Sequence, residues 1–259
     1  MKKILFLFSI IFILVLTSCS NDDNSDIVLF PKQIVTTDIY NGIIQKRTTT
    51  ITYLGDKIVK AVSDNGFVES YTYTDNLITK DEFTNTNGVK ILTTYLYDSA
   101  RKLTEVNISR TSSEDVVTKS KVTFDHNIDG TITRNGFSKS VLTYANGNLI
   151  KVVTILGAGS GGVFIDEYDN KKSPFSSVLG VNKLLDANLT LCAAVNNRTK
   201  RESYYVDIQY GHIISEVPIN TITTINYLNK YNSDNYLTEQ YYEYDSIDGK
   251  ASCKIEFVY

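Results

Sequence analysis

Between residues 31 and 259 apolar and polar residues alternate in short runs, and each run ends in a polar turn. Residues 89–97 show the logic. Val89, Ile91, Thr93, Tyr95 and Tyr97 fall on one face of a strand, and Lys90, Leu92, Thr94 and Leu96 on the other. Both faces carry apolar groups, so a sheet that curls on itself or is covered on its second side is expected. The turns are marked by Asn41-Gly42, Asn65-Gly66, Asn87-Gly88, Asp129-Gly130, Asn135-Gly136, Asn146-Gly147 and Asp248-Gly249. Asn and Asp tolerate positive φ and Gly adopts it freely, which suits tight hairpins. With 28 Thr and 18 Tyr against 8 Ala, composition points the same way, because β-branched and aromatic side chains favour pleated positions. The expected fold is all-β and antiparallel.

The runs also resemble one another. Tyr53 to Ile58, Tyr73 to Leu77, Tyr97 to Leu103, Phe124 to Ile132, Tyr144 to Leu149 and Tyr231 to Leu237 share one scheme, which Tyr244-Asp245 begins again. An aromatic closes a strand, a polar turn follows, and Leu or Ile opens the next strand. Anchors at 53, 73, 97, 124 and 144 are 20, 24, 27 and 20 residues apart, a period that fits one hairpin per unit.

Tyr95-Leu96-Tyr97-Asp98 and Tyr242-Glu243-Tyr244-Asp245 come closest to a known pattern. They resemble the YD repeats of RHS-type proteins, and the chain is similar to small repeat-bearing lipoproteins of unknown function from Bacteroidota. The resemblance covers roughly residues 48–170 and 221–259. Most units lack the Asp or the Gly, and they are too few for the long arrays that build RHS shells. A single twisted or curled antiparallel sheet is therefore expected instead of a cocoon.

The repeat breaks at about 171–220. Ser173-Pro174-Phe175 interrupts the strand pattern, and Val178, Val181, Leu184 and Leu185 fall at helical spacing. This predicts one short helical insert plugging the sheet and an irregular stretch around Asn196-Asn197-Arg198. Two strands near 203–210 and 212–217 lead back into the repeats.

At the other extreme of the pattern, Ile4 to Leu16 is apolar apart from Ser9 and follows Met1-Lys2-Lys3. A bilayer needs roughly 20 apolar residues, so this run suits a signal peptide better than a membrane span. Leu16-Thr17-Ser18-Cys19 resembles the lipobox of bacterial lipoproteins. That resemblance implies cleavage of residues 1–18 and lipidation of Cys19, whose two or three acyl chains anchor stably. Residues 19–30 then form an acidic tether, and 31–259 the β-repeat domain. Asp22, Asp23 and Asp26 just after the lipidated Cys resemble the surface-export signal of Bacteroidota lipoproteins. The expected location is the outer membrane, at the cell surface, with the membrane as a partner through the lipid.

Charge and composition then narrow the chemistry. A net charge of −3 argues against nucleic acid, which requires a basic surface. Two His and three Cys leave little for a zinc site or a His-based triad. Gly157 to Gly162 satisfies G-x-G-x-x-G, but Val163-Phe164-Ile165 after it reads as a strand where a dinucleotide site needs a helix. A hairpin loop is expected there, and no cofactor is called for. Asp125, Asn127 and Asp129 match the first half of a calcium loop, yet Gly136 stands where the bidentate Glu belongs, so an acidic turn is favoured over a metal site.

Asp166, Glu167 and Asp169 cluster at a strand end, and paired carboxylates could serve glycoside hydrolysis. Asp166 and Glu167, however, should point to opposite faces. His126 and His212 read as surface or hydrogen-bonded histidines. Cys192 and Cys253 are the cysteines left once Cys19 is lipidated. Bridging them would close a loop of about 60 residues, worth about 4 kcal/mol in the chain-entropy model; the alternative is two small buried thiols. The sequence thus points to a non-catalytic binding or interaction module for a glycan or protein ligand, its tyrosines stacking on sugars or merely pairing across strands. A hydrolase using the acidic cluster and a ligand-free structural spacer are the rivals.

Overall fold

Turn chemistry sets the topology. Asn41-Gly42 (φ 50° and 76°) and Asn146-Gly147 (φ 51° and 77°) both adopt left-handed backbone, the geometry whose twist matches that of paired strands. Asp75-Asn76 does the same without glycine (φ 49° and 66°), so this hairpin lacks the Asn-Gly signal. The structure, a computed structural model, describes residues 28–157, 159–185, 193–209, 212–213, 218, 222–246 and 249–259.

The strands in chain order begin with β1 (Gln33–Tyr40), β2 (Ile43–Leu54), β3 (Lys57–Ser63), β4 (Val68–Thr74), β5 (Leu77–Thr84) and β6 (Lys90–Tyr97). Next come β7 (Leu103–Thr111), β8 (Val117–His126), β9 (Ile132–Asn135), β10 (Lys139–Ala145), β11 (Asn148–Gly157) and β12 (Ser160–Lys172). The last are β13 (Asn196–Gln209), β14 (His212–Ile213), β15 (Thr223–Tyr231), β16 (Leu237–Ser246) and β17 (Gly249–Val258).

Neighbours pair antiparallel, β13 also pairs with β15, and β17 returns to pair with β1. Sixteen strands thereby close a barrel, with the two-residue β14 hanging from the end of β13. The all-β antiparallel expectation holds, and the twisted or curled sheet goes further than expected and closes into a barrel. Period-two alternation reports which face is apolar but not whether the two edges meet. Here Gln33 to Tyr40 find partners on both β17 and β2.

The segments anchored at Tyr53, Tyr73, Tyr97, Phe124, Tyr144 and Tyr231 occupy one rim, whereas Tyr244-Asp245 lies near the end of β16 at the other. Register shifts fall between Thr52 and Tyr53, Thr72 and Tyr73, Leu96 and Tyr97, Thr143 and Tyr144, Glu167 and Tyr168, and Lys230 and Tyr231. These six tyrosines therefore each follow a β-bulge, which bends the strand and increases its twist, while β8 and β9 pair in unbroken register at Phe124. The polar residue after the anchor closes the turn: Asp98 Oδ1 accepts from Lys102 N–H (2.9 Å), and Asn232 Oδ1 from Tyr236 N–H (2.9 Å). β1 starts and β17 ends at this same rim.

A sixteen-strand ring is too wide for wall side chains alone to fill, and residues 173–185 cross it as a strap. Leu179 N–H donates to the Asp56 carbonyl (2.9 Å) in the β2–β3 turn, on the far side of the ring from β12. Phe175, Val178, Val181 and Leu184 pack with Ile51, Ile58, Tyr71, Ile78, Tyr95, Leu103, Val106, Phe124, Ile132, Leu142 and Val152. Residues from β2 through β11 can share one cluster only by pointing inward, which fixes the inner face of every strand by register. The strap's neck is pinned where Ser173 N–H meets Val195 O (2.9 Å) and Asn148 Oδ1 accepts from Val195 N–H and Asn196 N–H (3.0 Å each).

The expected helix is corrected. The described part of the insert is a series of turns with one 3-10 turn, Val181–Lys183. Gly180 (φ 79°) before it and Leu185 (φ 55°) after it are left-handed and stop any helix. The apolar spacing instead aims side chains into the barrel. Asn196-Asn197-Arg198, expected to be irregular, opens β13, and the strand expected at 203–210 is part of that longer one. Of the strand expected at 212–217, His212–Ile213 forms and 214–217 lie outside the described residues.

On the outer face β5, β7, β8, β12, β13, β15, β16 and β17 carry ion pairs. They are Lys80–Glu82 (2.9 Å), Lys121–Glu105 (2.6 Å), Lys200–Glu202 (2.7 Å), Lys200–Glu167 (3.2 Å), Lys230–Glu239 (2.7 Å) and Lys254–Glu256 (3.0 Å). Strand β6 behaves as its pattern predicts, with Tyr95 2% exposed inside, while outward Leu92 (38%) and Leu96 (48%) are left partly exposed, so the second face is not covered there. A smaller apolar cluster, Val153, Val163, Val206 and Ile208, sits on the outward positions of β11–β13.

Candidate functional site

The buried side chains around the strap come from β2 to β11, with Ile34 of β1 and Phe257 of β17 packed against them, and the rest of the inner wall from β12 through β17 to β1 and β2 has a different character. Register carries the inward row from Leu142 and Val152 to Phe164 and Ser203, and one step along to Asp166 and Arg201. Arg201 faces Ile225, and two residues on Tyr227 faces Tyr242, followed across the sheet by Cys253, Asp38 and Gln45.

Asp166 is the centre of this wall. Its side chain is 2% exposed, and Arg201 grips it with two bonds of 2.7 Å, Nε to Oδ1 and Nη2 to Oδ2. Arg198 Nε reaches the same Oδ1 at 3.0 Å. A buried carboxylate is tolerated when paired and hydrogen-bonded in this way. The guanidinium of Arg198 lies 6.0 Å from the Tyr168 ring centre and 5.6 Å from that of Tyr227, and that of Arg201 lies 5.4 Å from the Phe164 ring. Planar guanidinium groups stack well on such faces. Both arginines keep over a quarter of their side chains exposed, 26% and 29%.

Around the ring from the arginines, on β15 and β16, the wall is aromatic. Tyr227 and Tyr242 stack tilted with centres 4.9 Å apart, and Tyr244 follows Tyr242 at 6.0 Å. Ala251 lies between Tyr244 and Tyr40 in the cross-strand row and is 3% exposed, covered by its larger neighbours. Burial pushes the Tyr242 hydroxyl above its ordinary range, with Cys253 beside it adding to the effect. Burial likewise pushes the Cys253 thiol up to about 11. Cys192 lies outside the described residues, and so does its pairing with Cys253.

The acidic cluster divides as strand geometry requires. Asp166 faces inward to its arginines, while Glu167 faces outward to Lys200 (3.2 Å). Asp169 accepts from Tyr231 O–H, Lys171 N–H (2.9 Å) and Asn197 N–H (3.1 Å) at the strap's neck. Burial, followed by the bond to Asp169, pushes the Tyr231 hydroxyl above its ordinary range. A second carboxylate, Asp81, accepts from Tyr95 O–H inside the strap's core.

The other sequence candidates resolve into structural roles. Asn127 Nδ2 donates to Thr131 and Thr133 (2.9 and 3.0 Å), Asp129 accepts from Thr131 N–H (2.9 Å), and Asp125 accepts from Asn135 Nδ2 (2.8 Å). The turn and its flanking strands use all three. His126 Nε2 meets the Leu103 carbonyl at 2.9 Å. The side chain of His212 lies outside the described residues. Gly157 and Ser160 close the β11–β12 hairpin, so the glycine-rich run leads into a strand. The arginines at 198 and 201 were not singled out in the sequence. Their signal was faint: Arg and Tyr at inward positions of strands flanking an acidic residue.

Fold and wall together define a closed antiparallel barrel, strapped at one rim and lined along part of its interior by arginine and tyrosine. No family model matches the chain, and no curated protein matches it. Two solved structures are similar to it over most of its length. A porin-like protein from Bacteroides uniformis ATCC 8492 has a TM-score of 0.37 and 13% identity, covering 88% of this chain and 97% of its own. A porin-like protein from Bacteroides vulgatus ATCC 8482 has a TM-score of 0.43 and 10% identity, covering 90% of this chain and 99% of its own. Likeness at this level carries no argument about function.

Proposed function

We propose that the protein is a lipid-anchored binding module of the outer membrane, displayed at the cell surface, which holds its ligand inside the barrel without catalysing a reaction. The observation that carries this reading is the division of polar groups between the two faces. The outer wall carries ion pairs around much of the ring. A Lys or Arg facing lipid costs roughly 2–4 kcal/mol at the bilayer midplane, so such a wall belongs in water. Attachment then falls to Cys19 and its tether. The described chain begins at Val28, and Leu29 N–H donates to Tyr236 O–H at 3.2 Å on the strapped rim. The anchor holds that rim toward the bilayer, and the other mouth faces away.

Inside, the apolar half is filled by the strap, whereas the half from β12 to β17 presents partly exposed arginines and a run of tyrosines. Interior polar and aromatic groups at that exposure suit reversible recognition. Catalysis by the acidic cluster is disfavoured because Asp166 is held by two arginines and Asp169 by the strap's neck. A glycan-array screen of the mature protein tests the reading. Retention of a defined glycan, lost on Tyr242→Leu, supports it. An array without signal, together with no turnover and no captured ligand on native mass spectrometry of protein from cells, overturns it.

A further inference from the structure

We propose that the arginine–tyrosine wall binds an acidic oligosaccharide, with a uronate carboxylate on the guanidinium of Arg201 and the faces of neighbouring sugars on Tyr227, Tyr242 and Tyr244. The inference rests on the lumen being the binding site and adds the class of ligand.

Three features lead to it. First, the Arg201 guanidinium is fixed before any ligand arrives. Its Nε and Nη2 are locked on Asp166 at 2.7 Å and its plane lies over Phe164, yet 29% of the side chain is exposed. A planar fork held in place loses little conformational freedom when it takes a second carboxylate, and its donor geometry matches one. Nη1 is the nitrogen that the pair with Asp166 does not use. Second, Arg198 stands beside it, held over the Tyr168 and Tyr227 rings, so cationic groups converge on one stretch of wall.

Third, the aromatic run continues from Arg198 around the wall onto β16, with ring centres at 4.9 and 6.0 Å and Tyr244 still 36% exposed. Rigid rings with a polar tip offer flat apolar area at low entropic cost. A pyranose presents the complement: an apolar C–H face, hydroxyls at its edge and, in a uronate, one carboxylate. The amides nearby serve the wall itself. Asn229 Nδ2 donates to the Arg198 carbonyl (3.0 Å), and Gln240 Nε2 to Asn229 Oδ1 (3.0 Å). Selectivity is thus left to the guanidinium and the rings.

Calorimetry on the mature, acylated protein in detergent micelles tests this with three probes: hexagalacturonate, maltohexaose and hexaglutamate. Hexagalacturonate should bind, and the neutral sugar at least about tenfold more weakly. Arg201→Gln and Tyr242→Leu should each weaken hexagalacturonate by about tenfold or more, and Glu167→Gln, on the outer wall, should not. In the unmodified protein, hexagalacturonate should shift the Nε–Hε resonance of Arg201, which keeps the test valid if a variant misfolds. Equal affinity for the two sugars, tighter binding of hexaglutamate, an unmoved Arg201 resonance or no binding of hexagalacturonate each overturns the proposal. Neutral glycans that bind and depend on Tyr242 would sink this assignment while leaving lumenal binding intact.

Discussion

The Tyr97 hydroxyl donates to the backbone carbonyl of Ile78 at 2.8 Å, so the aromatic that closes one repeat unit holds the second residue of the strand that leaves the unit before it. The same bond recurs around the rim. Tyr168 reaches Leu149 O (2.9 Å), Tyr259 reaches Leu237 O (2.9 Å), and Tyr53 reaches Pro31 O (3.0 Å). His126 makes it with Leu103 O, in the unit where Phe124 is the anchor. The bulges beside Tyr53, Tyr97 and Tyr168 interrupt regular ladder pairing, and the side-chain bonds tie these units to their neighbours.

Replacing Tyr97 by Phe keeps the ring and removes that bond. A buried carbonyl then loses a partner, which typically costs about 1–1.5 kcal/mol. Thermal unfolding should register the loss, while the far-ultraviolet circular dichroism of the native state stays unchanged. A variant as stable as the parent would mean that the rim is held by packing alone.

Neighbouring residues Asp166 and Glu167 should behave oppositely. Asp166→Asn leaves two arginines around a neutral group in a nearly buried site and should cost about 3 kcal/mol. Glu167→Gln removes a surface partner of Lys200 and should cost under about 0.5 kcal/mol. Denaturant unfolding of the two variants measures both. Equal effects would contradict the assignment of one carboxylate to the interior and the other to the outer wall.

The strap should be sensitive at two positions. Leu184 is fully buried, and Leu184→Ala should cost about 3 kcal/mol by opening a cavity. At Gly180 the φ of 79° is left-handed, and an added Cβ would lie 3.1 Å from Ile78 N and 3.2 Å from Asn76 O. Gly180→Ala should therefore cost about 2 kcal/mol from backbone conformation and crowding together. Unfolding midpoints for the pair would show whether the strap is part of the cooperative fold, and a change below about 0.5 kcal/mol in both would show that it is not.

Stability should decline in alkali. Burial raises the Cys253 thiol to about 11 and the hydroxyls of Tyr53, Tyr73, Tyr97, Tyr242 and Tyr259 above their ordinary range. An unfolded thiol releases its proton near 8.5 and an unfolded tyrosine near 10. Their contribution is thus complete below about pH 8 and falls as pH rises past these values, most steeply above about 10. Melting temperatures taken from pH 7 to 11 should fall above pH 9. A flat profile to pH 11 would contradict the burial of these groups.

Much of the fold is legible in the sequence, because a hairpin repeat announces itself locally. The Asn-Gly turns, the anchors at Tyr53, Tyr73 and Tyr97, and the inward set Ile91, Thr93, Tyr95 and Tyr97 follow from period-two alternation and turn chemistry alone. Closure does not, since the meeting of Gln33–Tyr40 with β17 is a contact between the ends of the domain. The strap is illegible for a related reason. Val178, Val181 and Leu184 must reach one apolar volume, and a series of turns achieves this as well as a helix does. The arginine–tyrosine wall is the least legible part. Asp166 stood out as an acid beside other acids, but its meaning depends on Arg198 and Arg201, more than thirty residues away and adjacent only through β12–β13 pairing.

The central claim is that this barrel stands in water and owes its membrane attachment to one residue. Partition of the chain from Ser20 onward, exported behind a cleavable signal without a lipobox, tests it most directly against the full-length protein. The full-length protein should enter the detergent-rich phase of a Triton X-114 separation, and the chain lacking Cys19 should remain in the aqueous phase as a folded β-protein. Recovery of that unlipidated chain in the detergent phase, or its resistance to extraction from membranes by alkaline carbonate, would mean that the barrel wall itself sits in the bilayer.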